Sequence, residues 1–166
     1  MSIITDRLDI TMGLDQYLYA KKYTTDTDFL GADRKALHGK LKEAIGDATK
    51  HQSGNLKSIS VEMEVAYWRK VNAVHQWFVD NCQDGNDDCR LTYVGREQLN
   101  NLLDACKDVL ANRDKAGDIL PTASGFFFGS TEYDEYYFMD IEDTVKQLET
   151  VLQLDDEWEF YYHSSW

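Results

Sequence analysis

The chain has 166 residues, of which 43% are hydrophobic and 13% aromatic. That is enough apolar material for one packed domain, residues 1–166, and too much for a disordered chain. Thirty Asp and Glu against seventeen Lys and Arg give a net charge of −13. Such a balance repels phosphate backbones and argues against direct nucleic-acid binding. No run of 18 apolar residues occurs, and the first residues lack a basic region followed by an apolar stretch, so neither a membrane span nor a secretory signal is expected. Three cysteines, Cys82, Cys89 and Cys106, are too few and odd in number for a disulfide framework, which favours a reducing cytoplasm.

In chain order, residues 1–11 are expected to form a loose extension ahead of the segment MGLDQYLY. Leu14–Tyr23 carries aromatic and aliphatic strand formers and is expected as a first strand. Asp33–Lys50 places Leu37, Leu41, Ala44, Ile45 and Ala48 at helical spacing, with Gly39 and Gly46 weakening the helix. The polar stretch HQSGN, residues 51–55, is expected as a turn. Ser58–Val65 alternates strictly: Ile59, Val61, Met63 and Val65 share one face, and Ser60, Glu62 and Glu64 the other, as in a half-buried strand. Tyr67–Asn81 is apolar around most of a helical circumference and predicts a central, buried helix. After a loop at residues 81–88, Leu91–Val94 predicts a short strand.

Arg96–Asn112 is amphipathic, with Leu99, Leu102, Leu103, Cys106, Val109 and Leu110 on its apolar face. Residues 113–130 read as a long irregular connection, a kind of segment often used for binding. Thr131 with Asp134 three residues later predicts a helix start. The following helix carries Tyr137, Ile141, Thr144, Val145, Leu148, Val151 and Leu152 on one stripe, and Trp158–Trp166 predicts a last strand. Together these elements predict an α+β fold, a small, mostly antiparallel sheet packed against three to four helices.

Several residues are candidates for chemistry. On the expected helix, Trp68, Asn72 and His75 fall on one stripe, and the buried Asn72 and His75 require hydrogen-bond partners. Glu62 or Glu64 is the expected partner of His75, a pairing that suits a base or a ligand anchor. Arg69 and Lys70 carry anion-binding charge, but adjacent helical residues point about 100° apart. A pocket lined by Trp68, Arg69, Asn72, His75 and Tyr133, and closed by Ser164–Trp166, is one functional reading, either enzymatic or sequestering. His75, Cys82 and Cys89 lack the close ligand pairs of a zinc site. Asp84, Asn86 and Asp88 begin like a calcium loop that Cys89 and Gly95 then break. No metal and no cofactor are expected.

The other reading rests on charge. From Ala116 to the C-terminus one base, Lys146, stands against twelve acids, interleaved with aromatic residues that imply an ordered surface. Like charge on an ordered face attracts a basic partner. Asp134, Glu135, Asp140, Glu142 and Asp143 would steer such a partner, with Phe126, Phe127, Phe128 and Trp166 as anchors. Three consecutive phenylalanines cannot all enter one core from a strand, so at least one faces a second surface.

The motifs MGLDQYLY, YWRKVNAVHQWFV, GFFFGSTEYDEYYF and the terminal YYHSSW resemble those of a family of small uncharacterised proteins encoded by bacteriophages and prophages. The resemblance spans roughly residues 12–166 and is weakest between Thr24 and Lys57. It implies expression inside a bacterial host cell and no particular chemistry. It favours a non-enzymatic interaction protein, an inhibitor of a host defence or nucleic-acid-handling protein, with DNA mimicry as one form. The ligand-pocket reading and a scaffold role in the phage cycle stand as alternatives.

Overall fold

A computed structural model describes residues 13–46 and 56–166. The expected extension at residues 1–11 and the turn at 51–55 lie outside the described residues. Four strands form one antiparallel sheet in the order β2-β1-β4-β3. They are β1 (Asp15–Thr25), β2 (Ser58–Arg69), β3 (Thr92–Val94) and β4 (Glu159–Ser165). The helices are α1 (Ala32–Ile45), α2 (Asn72–Cys82), α3 (Arg96–Ala111), the single turn α4 (Ala116–Ile119) and α5 (Glu135–Val151). The α+β class and the antiparallel sheet follow the sequence pattern.

The sheet is two-sided, as period-2 strands require. Along β1, Gln16, Leu18, Ala20, Lys22 and Thr24 point inward and are buried, while Tyr17, Tyr19, Lys21 and Tyr23 point outward. β4 matches it with Phe160, Tyr162 and Ser164 inward. The last strand of the chain thus sits inside the sheet, between β1 and β3. The inner face packs on Val74 and Phe78 of α2, Leu99 and Leu102 of α3, and Ile141 and Leu148 of α5. Each such side chain contributes about 1.5–3 kcal/mol by leaving water. Phe78 stacks on Tyr162 with ring centroids 4.0 Å apart.

Two departures from the sequence reading concern β2. The strand does not stop at Val65 but runs to Arg69, and its register shifts where Leu18 pairs with Ala66 and Tyr19 with Glu64. Val65 is the extra residue of a bulge. A bulge reverses the inside–outside phase, so Ala66 and Trp68, rather than Tyr67, turn inward. The apolar run beginning at Tyr67 is therefore strand first and helix only from Asn72. Trp68 and His75 do not share a helix; the Trp68 indole donates to Thr144 Oγ1 of α5 at 3.0 Å.

α1 also departs from its pattern. Leu37, Leu41 and Ile45 are only half-buried, Ala44 is exposed, and Ala48 lies outside the described residues. The buried residue is His38, whose ring contacts Thr24 Oγ1 at 3.3 Å and the Leu56 carbonyl at 3.0 Å. At α5 the N-cap is Asp134 itself rather than Thr131. Its carboxylate accepts from the backbone N–H groups of Tyr136 and Tyr137, which typically stabilises a helix by about 0.5–2 kcal/mol. Arg96 of α3 donates to the carbonyls of Leu152, Leu154 and Asp155, placing a cation at the C-terminal end of α5 where the helix dipole favours one.

The lead-in to β4 is tied down by Lys22. Its buried ammonium reaches Asp155 at 3.1 Å and Glu157 at 2.8 Å and lies 5.3 Å from the Trp158 ring. The hydrogen bonds from Lys22 hold both carboxyls below their ordinary values of 3.8 and 4.5. A carboxyl lowered in the folded state stabilises the fold above its ordinary value and loses that contribution as pH falls through the lowered one. Lys22→Met is therefore expected to be less stable than wild type near neutrality, with the difference shrinking as pH falls below about 4. Urea midpoints measured across that range check this; a difference that stays constant with pH would contradict it.

Candidate functional site

The site forms where β2 gives way to α2. Trp68 anchors the strand end in the core, Arg69 and Lys70 follow at the surface, and α2 begins at Asn72 with no side chain capping its first turn. Lys70 has φ of 60°, a left-handed conformation that costs a non-glycine residue about 1–2 kcal/mol. Its N–H is held by the Leu14 carbonyl at 2.7 Å. The strain is thus imposed by the sharp turn from sheet to helix.

Against this junction lies the connection between α4 and α5, whose irregular part runs over residues 120–134. One side chain fastens it. The Asn72 amide donates to the carbonyls of Phe128 at 3.1 Å and Ser130 at 2.8 Å, and its oxygen accepts from Ala123 N–H at 3.0 Å. Thr122 adds a bond from its hydroxyl to the Thr131 carbonyl at 3.0 Å. Two further left-handed residues, Phe127 at φ 67° and Gly129 at φ 91°, shape the segment. Gly129 is required twice over, since a Cβ there would lie 3.2 Å from the Lys70 backbone carbonyl. Strained backbone of this kind gathers at binding and catalytic sites.

The three phenylalanines separate as their succession requires. Phe128 is buried, edge-on to His75 at 5.1 Å and to Trp166 at 5.9 Å, while Phe126 and Phe127 are exposed and pack on each other. Gly125 makes room for Phe128, whose ring atoms would lie 2.5 Å from a Cβ at that position.

Between the two segments is a cavity of about 200 Å³. It is lined from the β2–α2 junction by Arg69, Lys70, Asn72 and Ala73, and from the connection and α5 by Thr122, Gly129, Ser130, Glu132, Asp134, Tyr136 and Asp140. Cationic side chains, the positive end of a helix dipole and carboxylates therefore line the same small space. Burial, reinforced by Asp143 and Asp134, pushes the Asp140 carboxyl above its ordinary value. A ligand cation beside it would relieve that cost.

Of the five residues assigned to a pocket from the sequence, the cavity gathers Arg69 and Asn72. Trp68 and His75 belong to the core, and Tyr133 packs under the connection, its hydroxyl accepting from Thr122 N–H at 3.2 Å. Ser164 is buried in the sheet, and Trp166 lies against Phe128 rather than closing the cavity. Asp134 and Asp140, assigned to a partner surface, line the cavity instead. Arg69 and Lys70 are not adjacent helical residues pointing apart; they stand at a strand end and a left-handed turn, and both line the cavity. Thr122, Gly129, Ser130, Glu132 and Tyr136 escaped attention individually. Their signal was the length of the irregular connection.

The remaining acids of α5 are largely satisfied within the chain. Arg113 pairs with Glu135 and Glu142, and Lys146 with Asp143. Exposed pairs of this kind contribute little stability, but they reduce the bare charge that α5 presents.

His75 is completely buried and joins a chain of polar groups. Its partner is Asp87, at 3.0 Å from Nε2, rather than Glu62 or Glu64; Nδ1 meets Tyr162 Oη at 2.8 Å. Gln16 donates to the Val71 carbonyl at 3.2 Å, so its oxygen accepts from Tyr162 O–H. The Tyr162 hydroxyl and the Asp87 carboxylate thus meet the two ring nitrogens of His75, whose donor and acceptor roles follow its tautomer. The Trp166 indole completes the chain by donating to Asp87 at 3.1 Å. Burial, with Asp87 nearby, drives the Tyr162 hydroxyl well above its ordinary value, so it acts here as a hydrogen-bonding group and not as an acid.

No protein-family model matches the chain, and neither does any curated protein or solved structure.

Removing the Asn72 amide leaves two carbonyls and one N–H of the connection without their partner. Asn72→Ala is expected to cost about 1–3 kcal/mol, measurable by urea denaturation, with faster hydrogen exchange confined to residues 122–131. His75→Ala, which removes one partner each from Tyr162 and Asp87, is expected to cost a similar amount but to leave exchange in residues 122–131 slow. Equal exchange profiles in the two variants would contradict this division of roles.

Proposed function

We propose that this protein binds a small zwitterionic molecule in the cavity between the β2–α2 junction and the α4–α5 connection. The observation that carries the reading is a cavity of about 200 Å³ lined by side chains of both charges. Arg69, Lys70 and the start of α2 suit an anionic group, and Asp134, Asp140 and Glu132 suit a cationic one. The volume lies below the roughly 300–1,000 Å³ of pockets for drug-sized ligands, so the ligand is of the size of an amino acid or a phosphorylated amino alcohol. Tyr136 at the rim offers a ring face to the cationic end. The fastening by Asn72 supports a site formed before the ligand arrives, which lowers the entropic cost of binding. In the bacteriophage setting implied by the motif resemblance, such a site would serve to sequester or process a small host metabolite.

A basic host partner at the acidic C-terminal half is the second reading. Exposed Phe126 and Tyr136 favour it, while the internal pairing of Glu135, Glu142 and Asp143 weighs against it.

The test uses phosphoethanolamine, glycine, inorganic phosphate and ethanolamine as probes in thermal-shift and calorimetric titrations. The zwitterions are expected to stabilise the protein more than phosphate or ethanolamine alone. Lys70→Gly removes one positive charge from the cavity lining and also releases left-handed strain. It is expected to weaken zwitterion binding about tenfold, a loss of 1.4 kcal/mol, while keeping or raising stability by up to about 1 kcal/mol. Asp140→Asn is expected to weaken the zwitterions but not phosphate. Absence of any shift at millimolar probe, or unchanged binding in both variants, overturns the reading.

A further inference from the structure

The outer face of the sheet is a second surface with a chemistry of its own. Tyr17, Tyr19, Tyr67, Tyr93, Tyr161 and His163 all project from it, and the helices contact the sheet through its inner residues. The rings form two clusters. Tyr17 lies 6.1 Å from Tyr19, 5.4 Å from Tyr67 and 6.0 Å from His163, and Tyr93 lies 5.8 Å from Tyr161. Among the described residues, Tyr67 and Tyr93 are exposed and the others half-buried.

Carboxylates surround the rings. Tyr67 donates to Asp15 and Tyr161 to Glu159, while Glu62 and Glu64 project from β2 beside Tyr19. The field they produce registers on the tyrosines. The Asp15 hydrogen bond pushes the Tyr67 hydroxyl up to about 12. Partial burial, followed by Asp15, Glu64 and Glu159 as neighbours, raises Tyr17, Tyr19 and Tyr161 as well, against an opposing effect of Arg69 on Tyr17 and Tyr67. The face therefore combines π-faces with negative potential, the two features that attract a cation to an aromatic surface. A cation already uses it: Lys21 Nζ sits 5.0 Å above the Tyr161 ring while pairing with Glu62. The hydroxyls of Tyr67 and Tyr161 are committed to carboxylates, which leaves them less suited to the hydrogen bonding that a sugar platform needs.

We propose that this sheet face docks an arginine-rich segment of a partner protein, its guanidinium groups stacking on the tyrosine rings and pairing with Asp15, Glu64 and Glu159. Arginine fits better than lysine because a planar guanidinium stacks on a ring and still donates to a carboxylate at its edge. The overall charge of −13 would hasten the encounter. This surface adjoins the zwitterion cavity at Arg69, which lines the cavity and lies near Tyr17 and Tyr67.

The probe is a labelled nonapeptide of alternating arginine and glycine, followed by fluorescence anisotropy and by aromatic NMR of the full chain. The peptide is expected to bind and to shift the ring signals of Tyr17, Tyr19 and Tyr161. The double variant Tyr17→Ala/Tyr161→Ala is expected to weaken binding about tenfold. Tyr161→Phe, which keeps the ring, is expected to retain binding, and Glu142→Lys/Asp143→Lys on α5 to change it by less than about twofold. Should the double variant not fold, the ring shifts of the wild type decide. Four results would overturn the proposal: unshifted rings with the peptide bound, α5 reversal costing as much as ring loss, a glucose hexasaccharide shifting the rings where the peptide does not, or ring broadening with protein concentration alone, which marks a second copy as occupant.

Discussion

One primary amide organises the functional half of this molecule. The Asn72 side chain, at the first position of α2, spends both its donors and its acceptor on the connection between α4 and α5. A segment of about fifteen residues without regular structure has few backbone bonds of its own, so its shape must come from elsewhere. Here it comes from a residue that is itself fixed by the turn from β2 into α2. The cavity exists because these two irregular stretches are held at a distance and not allowed to collapse on each other.

The same junction connects the cavity with the core. Val71, which precedes α2 and lines the cavity, receives the Gln16 amide. From Gln16 the chain of bonds crosses under the sheet through Tyr162 and His75 to Asp87 and the indole of Trp166. Buried polar groups are costly unless all are satisfied, and satisfied networks specify one arrangement among many. His75 thus acts as a structural link between the C-terminal strand, the loop carrying Asp87 and the start of α2. Its complete burial separates it from any ligand in the cavity, which accounts for its prominence in the sequence without a chemical role at the site.

The two faces of the sheet differ for a simple reason. The inner face carries branched and aromatic side chains that the helices cover, together with Lys22, which is buried because two carboxylates meet it. The outer face carries tyrosines, whose hydroxyl ends tolerate water while their rings do not need it. A face of this composition is stable uncovered and remains available for contact. Short β3 on one edge, and the hydrogen bond from Tyr67 N–H of β2 to Gln147 of α5 on the other, limit pairing of the sheet edges with other chains.

Periodicity alone was enough for β1, β4, α3 and α5, where apolar spacing and length agree, and hence for the α+β class. It failed at β2 because a bulge at Val65 shifts the phase by one residue, and a shifted strand of mostly apolar residues cannot be told from a buried helix by spacing. The error passed directly to the site: with Tyr67–Arg69 taken as helix, Trp68 and His75 were grouped and Arg69 and Lys70 set apart. It failed for α1, whose stripe of Leu37, Leu41 and Ile45 covers the core only partly while His38 is buried. The separation of Phe126, Phe127 and Phe128 between core and surface was legible, since neighbouring residues cannot share a direction. Which of them enters the core was not, because that depends on the missing Cβ of Gly125 and on the rings of His75 and Trp166. Local sequence determined the elements and the charge that each carries. Only the tertiary structure decided which charges share a cavity, because Lys70 and Asp140 come to line one space from segments some seventy residues apart, and no local pattern encodes such a distance.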